Sequence, residues 1–457
     1  MRTGNIKQTN KRLTFRDKNE PDQAGRLSGR STGFSKVQPS LRLMISLILA
    51  LTCVYPQLNV PAAGVRAYAD VYSTDLVGGI SLNDRWVEDT PSLEAPCAII
   101  AAADGTVLWE RGGDIRVPMA STTKIMTAIL AIESADLDRE CLVTRGASET
   151  GGTSAWLEQG DMVRLYDLLI GLLLPSGNDA AVTIAENLAG TQFDFVARMN
   201  EKAFELGMVN THYIDAHGLD EDGLYSTVRD YLILARYAMR NPVFAEIVAM
   251  REATIYLNGR ETRYYNTNKL PIYIDGVRGI KTGTNYEADA CLVACVEHQG
   301  QIFYTVVFGS PTDDSRYRDT VAMLNWAFKH YHTVELINPS TEVGSMALVD
   351  WIDHRVRVRA PFAVTVSVFD MDGPIRQEVE LENWSGAVSR GQRVGRVIFS
   401  QGSEVIATSE LVSDETVDEP DFWKKISIRW DRFKGGFSGQ PRHAETTIYL
   451  PDSIELP

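Results

Sequence analysis

The stretch that decides the fold is residues 117–127, Val117-Pro118-Met119-Ala120-Ser121-Thr122-Thr123-Lys124-Ile125-Met126-Thr127. It places a serine hydroxyl and a lysine amine three residues apart, at the start of an apolar run that predicts a helix to about Glu133. Side chains with this spacing lie on one helical face, close enough for one to act on the other. A serine hydroxyl is a poor nucleophile until a base removes its proton, and a desolvated lysine with a lowered pKa is such a base. The stretch therefore predicts a nucleophilic Ser121 paired with Lys124.

Two more short motifs follow in order, Ser176-Gly177-Asn178 and Lys281-Thr282-Gly283. About 55 and about 105 residues separate the successive motifs. Each motif alone is a weak signal, because a serine and a lysine at this spacing, or three residues in a row, arise often by chance. All three together match the active-serine signature of penicillin-binding proteins and serine β-lactamases.

The residues around the motifs resemble one branch of these enzymes, the D-alanyl-D-alanine carboxypeptidases of low molecular mass. The stretches that carry the resemblance are residues 117–127, Leu173–Ala180, His217–Asp220, Tyr225–Thr227 and Gly279–Gly283. The resemblance covers roughly residues 85–333, and more loosely the chain to about residue 415. It implies an α/β catalytic domain of three layers, followed by a small all-β domain.

The resemblance also implies a role for each motif residue. Ser121 would attack the carbonyl between two D-alanines, with Lys124 as its base, and Ser176 would relay a proton to the leaving amine. The backbone N–H groups of Ser121 and Thr284 would form the oxyanion hole, where charge develops. The substrate-binding residues would be Asn178, Lys281, Thr282, Gly283, Thr284 and Arg316, with Arg318 as the alternative for the carboxylate-binding arginine.

The chain departs from the family pattern after Gly283. Asn285 stands where the family usually has a threonine, and Ala288-Asp289 stands where it has an Ala-Gly pair. These changes put the substrate preference and the deacylation rate in question. Two other functions stay open at this point: a serine β-lactamase, although no deacylation loop of the pattern E-x-x-x-N is evident between Asn178 and Lys281, and a peptidoglycan or β-lactam sensor without turnover.

Composition agrees with an exported enzyme of two or three domains. The chain has 457 residues, 44% of them apolar, and a net charge of −15. A basic leader precedes an apolar run, Leu43–Val54, that is too short for a typical membrane span. Ala67-Tyr68-Ala69 then suits signal cleavage, so residues 1–69 are predicted to be a targeting segment, either cleaved or kept as an anchor.

The charge left after this cleavage excludes one class of partner. Residues 1–69 hold 11 of the 45 basic and 3 of the 60 acidic residues, so the remaining chain would carry a net charge near −23. Such a charge argues against a nucleic-acid partner. The expected partners are peptidoglycan pentapeptides and β-lactams. No cofactor and no metal are expected, the remaining cysteines are predicted to be small buried hydrophobes, and the oligomeric state is left open.

Hydrophobic patterns place the motifs on elements. Residues 96–109 predict two strands joined at Asp104-Gly105, and β-rich patterns follow Gly279. The predicted helices after the nucleophile helix are Val163–Leu174, Asp179–Leu188, Phe193–Leu206, Val228–Met239 and Thr320–His330. Asn241-Pro242 is expected to end the helix Val228–Met239.

Beyond the catalytic domain, assigned to residues 85–333, the pattern predicts a β-sandwich over residues 334–412. The region 413–457 is predicted to be an acidic linker, an amphipathic helix at 422–434 and a disordered tail from Gly435. Aromatic residues of this helix fall on one arc, with lysine and arginine mostly outside it. That arrangement suits the outer face of the cytoplasmic membrane, and the alternative is a helix docked on the body of the protein.

Overall fold

A computed structural model describes residues 90–219, 222–438 and 444–456, without the side chains of residues 436–438. The predicted targeting segment, residues 1–69, lies outside the described residues. The body of the chain, Val87–Pro457, forms one compact unit. Among the described helices, none combines the length and the apolar character that a membrane crossing requires.

A five-stranded antiparallel sheet lies at the centre of the catalytic part. Its strands are β1 (Cys97–Ala102), β2 (Val107–Arg111), β7 (Val277–Asn285), β8 (Asp289–His298) and β9 (Gln301–Ser310), in the spatial order β2-β1-β9-β8-β7. The predicted strand pair around Asp104-Gly105 is confirmed as β1 and β2. Because β7 ends the order, one of its edges is free of strand pairing and can face the nucleophile segment.

Apolar residues on both faces of β8 explain why helices cover the sheet on each side. Successive side chains of a strand point to opposite faces. Cys291, Val293 and Cys295 belong to the core under the helical region, whereas the alternate residues Leu292, Ala294 and Val296 belong to a second core. The predicted three-layer α/β fold follows from this double burial.

Helices fill the layer on the first face and carry two of the three motifs. Between β2 and β7 the chain forms α1 (Lys124–Ser134), β3 (Glu140–Leu142), α2 (Arg145–Ser148), β4 (Met162–Arg164), α3 (Leu165–Leu173), α4 (Asn178–Ala189), α5 (Gln192–Glu205), α6 (Val228–Ala238), α7 (Pro242–Ala249), β5 (Glu252–Leu257) and β6 (Arg260–Tyr265). The predicted helices are confirmed to within about two residues at most ends. The hairpin β5–β6 was not predicted.

Asn241-Pro242 does more than the sequence analysis expected. The preceding helix does end before it, but the Asn241 side chain then accepts hydrogen bonds from the backbone of Val243 and Phe244. Pro242 occupies the first turn of α7, where a missing N–H costs nothing. The pair therefore begins a helix as well as separating two.

The second face of the sheet is covered by one long helix, α8 (Asp313–His330). It begins seven residues earlier than predicted, because Thr312 and Ser315 form a capping box at its N-terminus. The extra turns bring Asp313 and Arg316 beside the end of β7.

The β part follows α8 directly. Its strands are β10 (Tyr331–Ile337), β11 (Glu342–Ala347), β12 (Arg355–Arg359), β13 (Val364–Phe369), β14 (Ile375–Leu381), β15 (Arg393–Gln401) and β16 (Glu404–Ser413). β10 pairs with β13, while β11, β12, β16, β15 and β14 lie side by side in one antiparallel sheet. The predicted all-β character of this part is confirmed. We propose that the boundary between the catalytic and β parts falls near His330.

The region predicted to be a disordered tail contains regular structure at three places. The amphipathic helix, α9 (Phe422–Ser438), continues past Gly435, and two short strands follow, β17 (Thr447–Ile448) and β18 (Ser453–Ile454). β17 pairs with β11 and β18 pairs with β14, at opposite edges of the sheet. Backbone N–H and C=O groups on open sheet edges favour such pairing, which residue composition does not reveal.

Candidate active site

Ser121 and Lys124 lie at the junction of a short 3₁₀ turn, Ala120–Thr123, and α1. Two buried hydroxyls tighten this turn: Thr122 donates to Met119 O and Thr123 donates to Ala120 O. Lys124 Nζ donates to Ser121 Oγ at 2.7 Å. The predicted pair of hydroxyl and amine is thus in direct contact.

The environment of Lys124 favours a neutral amine. Its side chain is fully buried, and its second hydrogen bond goes to a backbone carbonyl, His217 O, at 2.7 Å. Burial lowers its pKa well below the ordinary value, and the charge of Lys281 lowers it further, while Asp215 and Asp179 raise it in part. A neutral lysine in contact with a serine hydroxyl can take the hydroxyl proton.

The loop with Ser176-Gly177-Asn178 is held by residues 151–157. Thr153 O accepts from Asn178 N at 2.7 Å, and Asn178 Nδ2 donates to Gly151 O at 2.7 Å. Ser176 adopts a left-handed backbone, with φ of 67°, a conformation that often marks a functional constraint in residues other than glycine. Ser176 Oγ and Asn178 Oδ1 are buried and have no hydrogen-bond partner among the described residues. Their polar atoms remain available to a ligand.

Asp179 fixes this loop and was not singled out from the sequence. Its buried carboxylate accepts from the backbone of Ala155 and Leu157 and from Ser154 Oγ, which donates at 2.6 Å. Buried charges are stable when several hydrogen bonds satisfy them. We infer that Asp179 is a positioning residue for the preceding motif.

β7 brings the third motif to the nucleophile. A Cβ at position 283 would lie 3.0 Å from Ser121 N, a contact tight enough to push the two segments apart by a few tenths of an ångström, so glycine favours this close approach. Thr282 shares a hydrogen bond with Thr267 at 2.8 Å, through their hydroxyls. Thr267 was also missed in the sequence analysis, since nothing in its local pattern marks it.

Lys281 is almost fully buried on the same strand. Its Nζ donates to Thr282 O at 3.0 Å. Burial, with a smaller contribution from the Arg316 charge, lowers the pKa of Lys281 to about 7. Two lysines with lowered pKa values therefore lie close enough to influence one another, a pattern that is enriched at active sites.

The structure separates the two candidate arginines. Arg316 is buried, and its Nη1 donates to Gly283 O at 2.9 Å and to Thr284 Oγ1 at 2.8 Å. Arg318 lies on the other side of α8, where it is exposed and paired with Glu94. Of the two, Arg316 is therefore the one next to the third motif.

Asp215 and Asn285 organise the loop that contacts Lys124. Asp215 Oδ1 accepts from the backbone N–H groups of His217 and Gly218, which orients the carbonyl that holds Lys124. An aspartate two residues before a turn is a recognisable signal for such a bond, but it was not used. Asn285 Nδ2 donates to Gly218 O at 3.3 Å, so this departure from the family pattern ties β7 to the same loop.

Other candidate groups lie apart from this cleft or form no site. The cysteines at positions 97, 141, 291 and 295 are buried and unpaired, as predicted for small hydrophobes. Within the described ranges, no group of three or more His, Cys, Asp or Glu side chains is placed to hold a metal ion.

Known proteins resemble both the sequence and the fold. The family model for D-alanyl-D-alanine carboxypeptidases matches residues 85–312. D-alanyl-D-alanine carboxypeptidase DacF of Bacillus subtilis is 29% identical over 354 residues, which are 75% of this chain and 91% of the relative. The D-alanyl-D-alanine carboxypeptidase of Streptomyces sp. K15 is 34% identical over 242 residues, 49% of this chain and 83% of the relative.

Solved structures agree. The Streptomyces K15 DD-transpeptidase aligns with a TM-score of 0.51 and 30% identity, over 53% of this chain and 99% of that one. Penicillin-binding protein 5 of Haemophilus influenzae shares the fold, with a TM-score of 0.54 at 24% identity, over 72% of this chain and 99% of that one. By sequence and by fold, the chain belongs to the D-alanyl-D-alanine carboxypeptidase family.

Proposed function

We propose that this protein is a serine-type D-Ala-D-Ala carboxypeptidase that removes the terminal D-alanine from peptidoglycan stem peptides. The observation that carries the proposal is the contact between Ser121 Oγ and the buried amine of Lys124, whose pKa lies well below its ordinary value. Lowering the pKa of this amine increases its neutral fraction, and a neutral amine can act as a general base.

In the proposed reaction, Lys124 Nζ takes the hydroxyl proton while Ser121 Oγ bonds to the carbonyl carbon of the penultimate D-alanine. The backbone N–H groups of Ser121 and Thr284 stabilise the negative oxygen of the tetrahedral intermediate. The C–N bond then breaks, and the proton taken up by Lys124 reaches the departing amine of D-alanine through the Ser176 hydroxyl, which leaves Lys124 neutral again. Water hydrolyses the resulting ester and restores the serine.

The substrate groups have candidate partners in the cleft. The unpaired Asn178 Oδ1 would accept a hydrogen bond from the peptide backbone. Lys281, Thr282 and Arg316 would supply donors and positive potential for the terminal carboxylate. Penicillin carries a carboxylate beside its reactive amide, so we propose that it acylates the same serine.

Release of D-alanine tests this function. The purified protein should release D-alanine from diacetyl-L-Lys-D-Ala-D-Ala and should bind a fluorescent penicillin covalently. Ser121→Ala should abolish both signals, and Ser134→Ala, which changes an exposed serine at the end of α1, serves as the matched control. Labelling that persists in Ser121→Ala would refute the assignment of the nucleophile. Rapid penicillin turnover without D-alanine release would indicate a β-lactamase. Labelling with neither penicillin turnover nor D-alanine release would indicate a sensor.

We also propose that the protein is exported and associates with the outer face of the cytoplasmic membrane through α9. Ile428 is buried and Arg432 Nη2 donates to Trp351 O at 3.0 Å, so one face of the helix contacts the β part. Phe422, Trp423 and Trp430 remain exposed on the helix. An exposed aromatic face with flanking lysine and arginine residues fits a lipid interface. Docking and membrane contact are therefore compatible.

A substitution tests the membrane contact better than truncation before α9, because truncation also removes β17 and β18. Trp423→Glu with Trp430→Glu should reduce sedimentation with anionic vesicles and leave D-alanine release unchanged. Phe193→Glu on α5 changes an equally exposed aromatic residue and serves as the control. If the unaltered protein does not sediment with vesicles, α9 serves only the docked role.

A further inference from the structure

One carboxylate of this chain already contacts the proposed binding site for the substrate carboxylate. Asp313, in the first turn of α8, has its Oδ1 at 2.9 Å from Thr284 Oγ1, which donates to it. The same Oδ1 lies 3.2 Å from Arg316 Nη2. A single oxygen atom of Asp313 therefore bridges the two side chains at the end of the third motif.

The surroundings of Arg316 distinguish this contact from an ordinary surface ion pair. The Arg316 side chain is only 6% exposed, whereas that of Asp313 is 65% exposed. The Nη1 atom of Arg316 donates to two neutral oxygens, Gly283 O and Thr284 Oγ1. Asp313 is the only carboxylate paired with this guanidinium in the described part of the chain, and Arg316 Nε has no hydrogen-bond partner there. A buried guanidinium gains most from a carboxylate partner.

The position of Asp313 in the helix does not explain its contacts. Acidic side chains in the first turn interact favourably with the helix dipole, and this holds equally for the neighbouring Asp314. Asp314 is exposed too, yet the bridge to Thr284 and Arg316 is made by Asp313. The neighbour therefore provides a matched control with the same charge and the same helical turn.

We propose that Asp313 is a specificity-determining residue that competes with the terminal carboxylate of the substrate for Thr284 and Arg316. The proposal rests on the proposed function, because it deepens the assignment of Arg316 to the carboxylate site and adds the Thr284 hydroxyl beside it. The substrate carboxylate needs the donors that Asp313 Oδ1 now uses, and two negative groups in one site repel each other. Because the Asp313 side chain is mostly exposed, it can turn into water, so the competition weakens binding without blocking it.

Steady-state kinetics on the free acid and on its C-terminal amide test the proposal. The substrates are diacetyl-L-Lys-D-Ala-D-Ala and the same peptide ending in D-alaninamide. Asp313→Asn should lower KM for the free acid about tenfold, equivalent to about 1.4 kcal/mol, and should change KM for the amide less than twofold. Asp314→Asn should change neither KM. Acylation by penicillin, which carries a carboxylate, should become faster in Asp313→Asn only.

Each other result has a definite meaning. If Asp313→Asn raises KM for the free acid, Asp313 positions Arg316 for the substrate and the proposal of competition is wrong. Equal changes for acid and amide, or an equal effect of Asp314→Asn, would also refute it. Failure of the proposed function is a separate outcome, because the unaltered protein would then release no D-alanine and take up no penicillin label.

Discussion

Burial of Lys281 should make the stability of this protein depend on pH in a way that one substitution removes. The pKa of Lys281 is lowered from 10.5 to about 7, chiefly by burial. Between these values the unfolded chain binds a proton that the folded chain does not, so stability rises with pH in this window. The cost of burying Lys281 is absent above about pH 10.5, grows as the pH falls from 10.5 toward 7, and is complete below about 7, where the folded protein must hold a buried ammonium.

The size of the effect follows from the same pKa. Between pH 6 and pH 9, the folded protein releases the Lys281 proton at about pH 7, while the unfolded chain keeps it. The window in which stability rises therefore spans about two pH units, and each unit corresponds to about 1.36 kcal/mol. Lys281 should therefore add about 3 kcal/mol to the rise in unfolding free energy over this range. This is an upper value, because Lys281 also lowers the pKa of Lys124 and its removal relaxes that second group.

Urea unfolding at pH 6 and pH 9, followed by tryptophan fluorescence, measures the difference. Lys281→Met keeps the length of the side chain and removes its charge. We subtract the unfolding free energy of the unaltered protein from that of the variant at each pH. This difference should be larger at pH 6 than at pH 9, by up to about 3 kcal/mol. Lys269→Met changes an exposed lysine, so the change in unfolding free energy that it causes should be the same at pH 6 and at pH 9. A Lys281→Met effect that is equal at pH 6 and pH 9 would refute the argument from burial.

Three further substitutions test the site. Lys124→Ala should slow penicillin acylation at least about 100-fold, the usual result of losing a general base, and a labelling rate within tenfold of the original would contradict that role. Asp215→Asn should move the acidic limb of the acylation rate to lower pH, because the Asp215 charge raises the pKa of Lys124. The acylation rate is measured from pH 5 to pH 9. A shift of its acidic limb to higher pH would contradict the argument that the Asp215 charge raises the pKa of Lys124. Asp179→Ala should reduce the unfolding free energy by about 3 kcal/mol or more, since Ala155 N and Leu157 N lose a buried acceptor, and thermal unfolding unchanged within about 1 °C would exclude this anchoring.

The sequence by itself determined the features that depend on local pattern. The spacing of Ser121 and Lys124 on a helix start is a matter of helical geometry, and their side chains indeed meet at 2.7 Å. The three-layer fold was predicted from the family resemblance of the motif segments, and the burial of both faces of Cys291–Val296 agrees with it. The chemical roles of Ser121 and Lys124 stay predictions, which the substitutions at these two positions test.

Only the tertiary structure decided which distant groups meet in the site. Arg316 and Arg318 are two residues apart and chemically identical, and the packing of α8 on the sheet turns one toward Gly283 and the other toward Glu94. The bridge from Asp313 to Thr284 depends on where the capping box begins α8. β17 and β18 are two residues long, so pairing with the edges of a sheet formed earlier in the chain, rather than their own propensity, makes them strands. In each case the deciding energy comes from contacts between residues far apart in sequence, and a local pattern does not contain them.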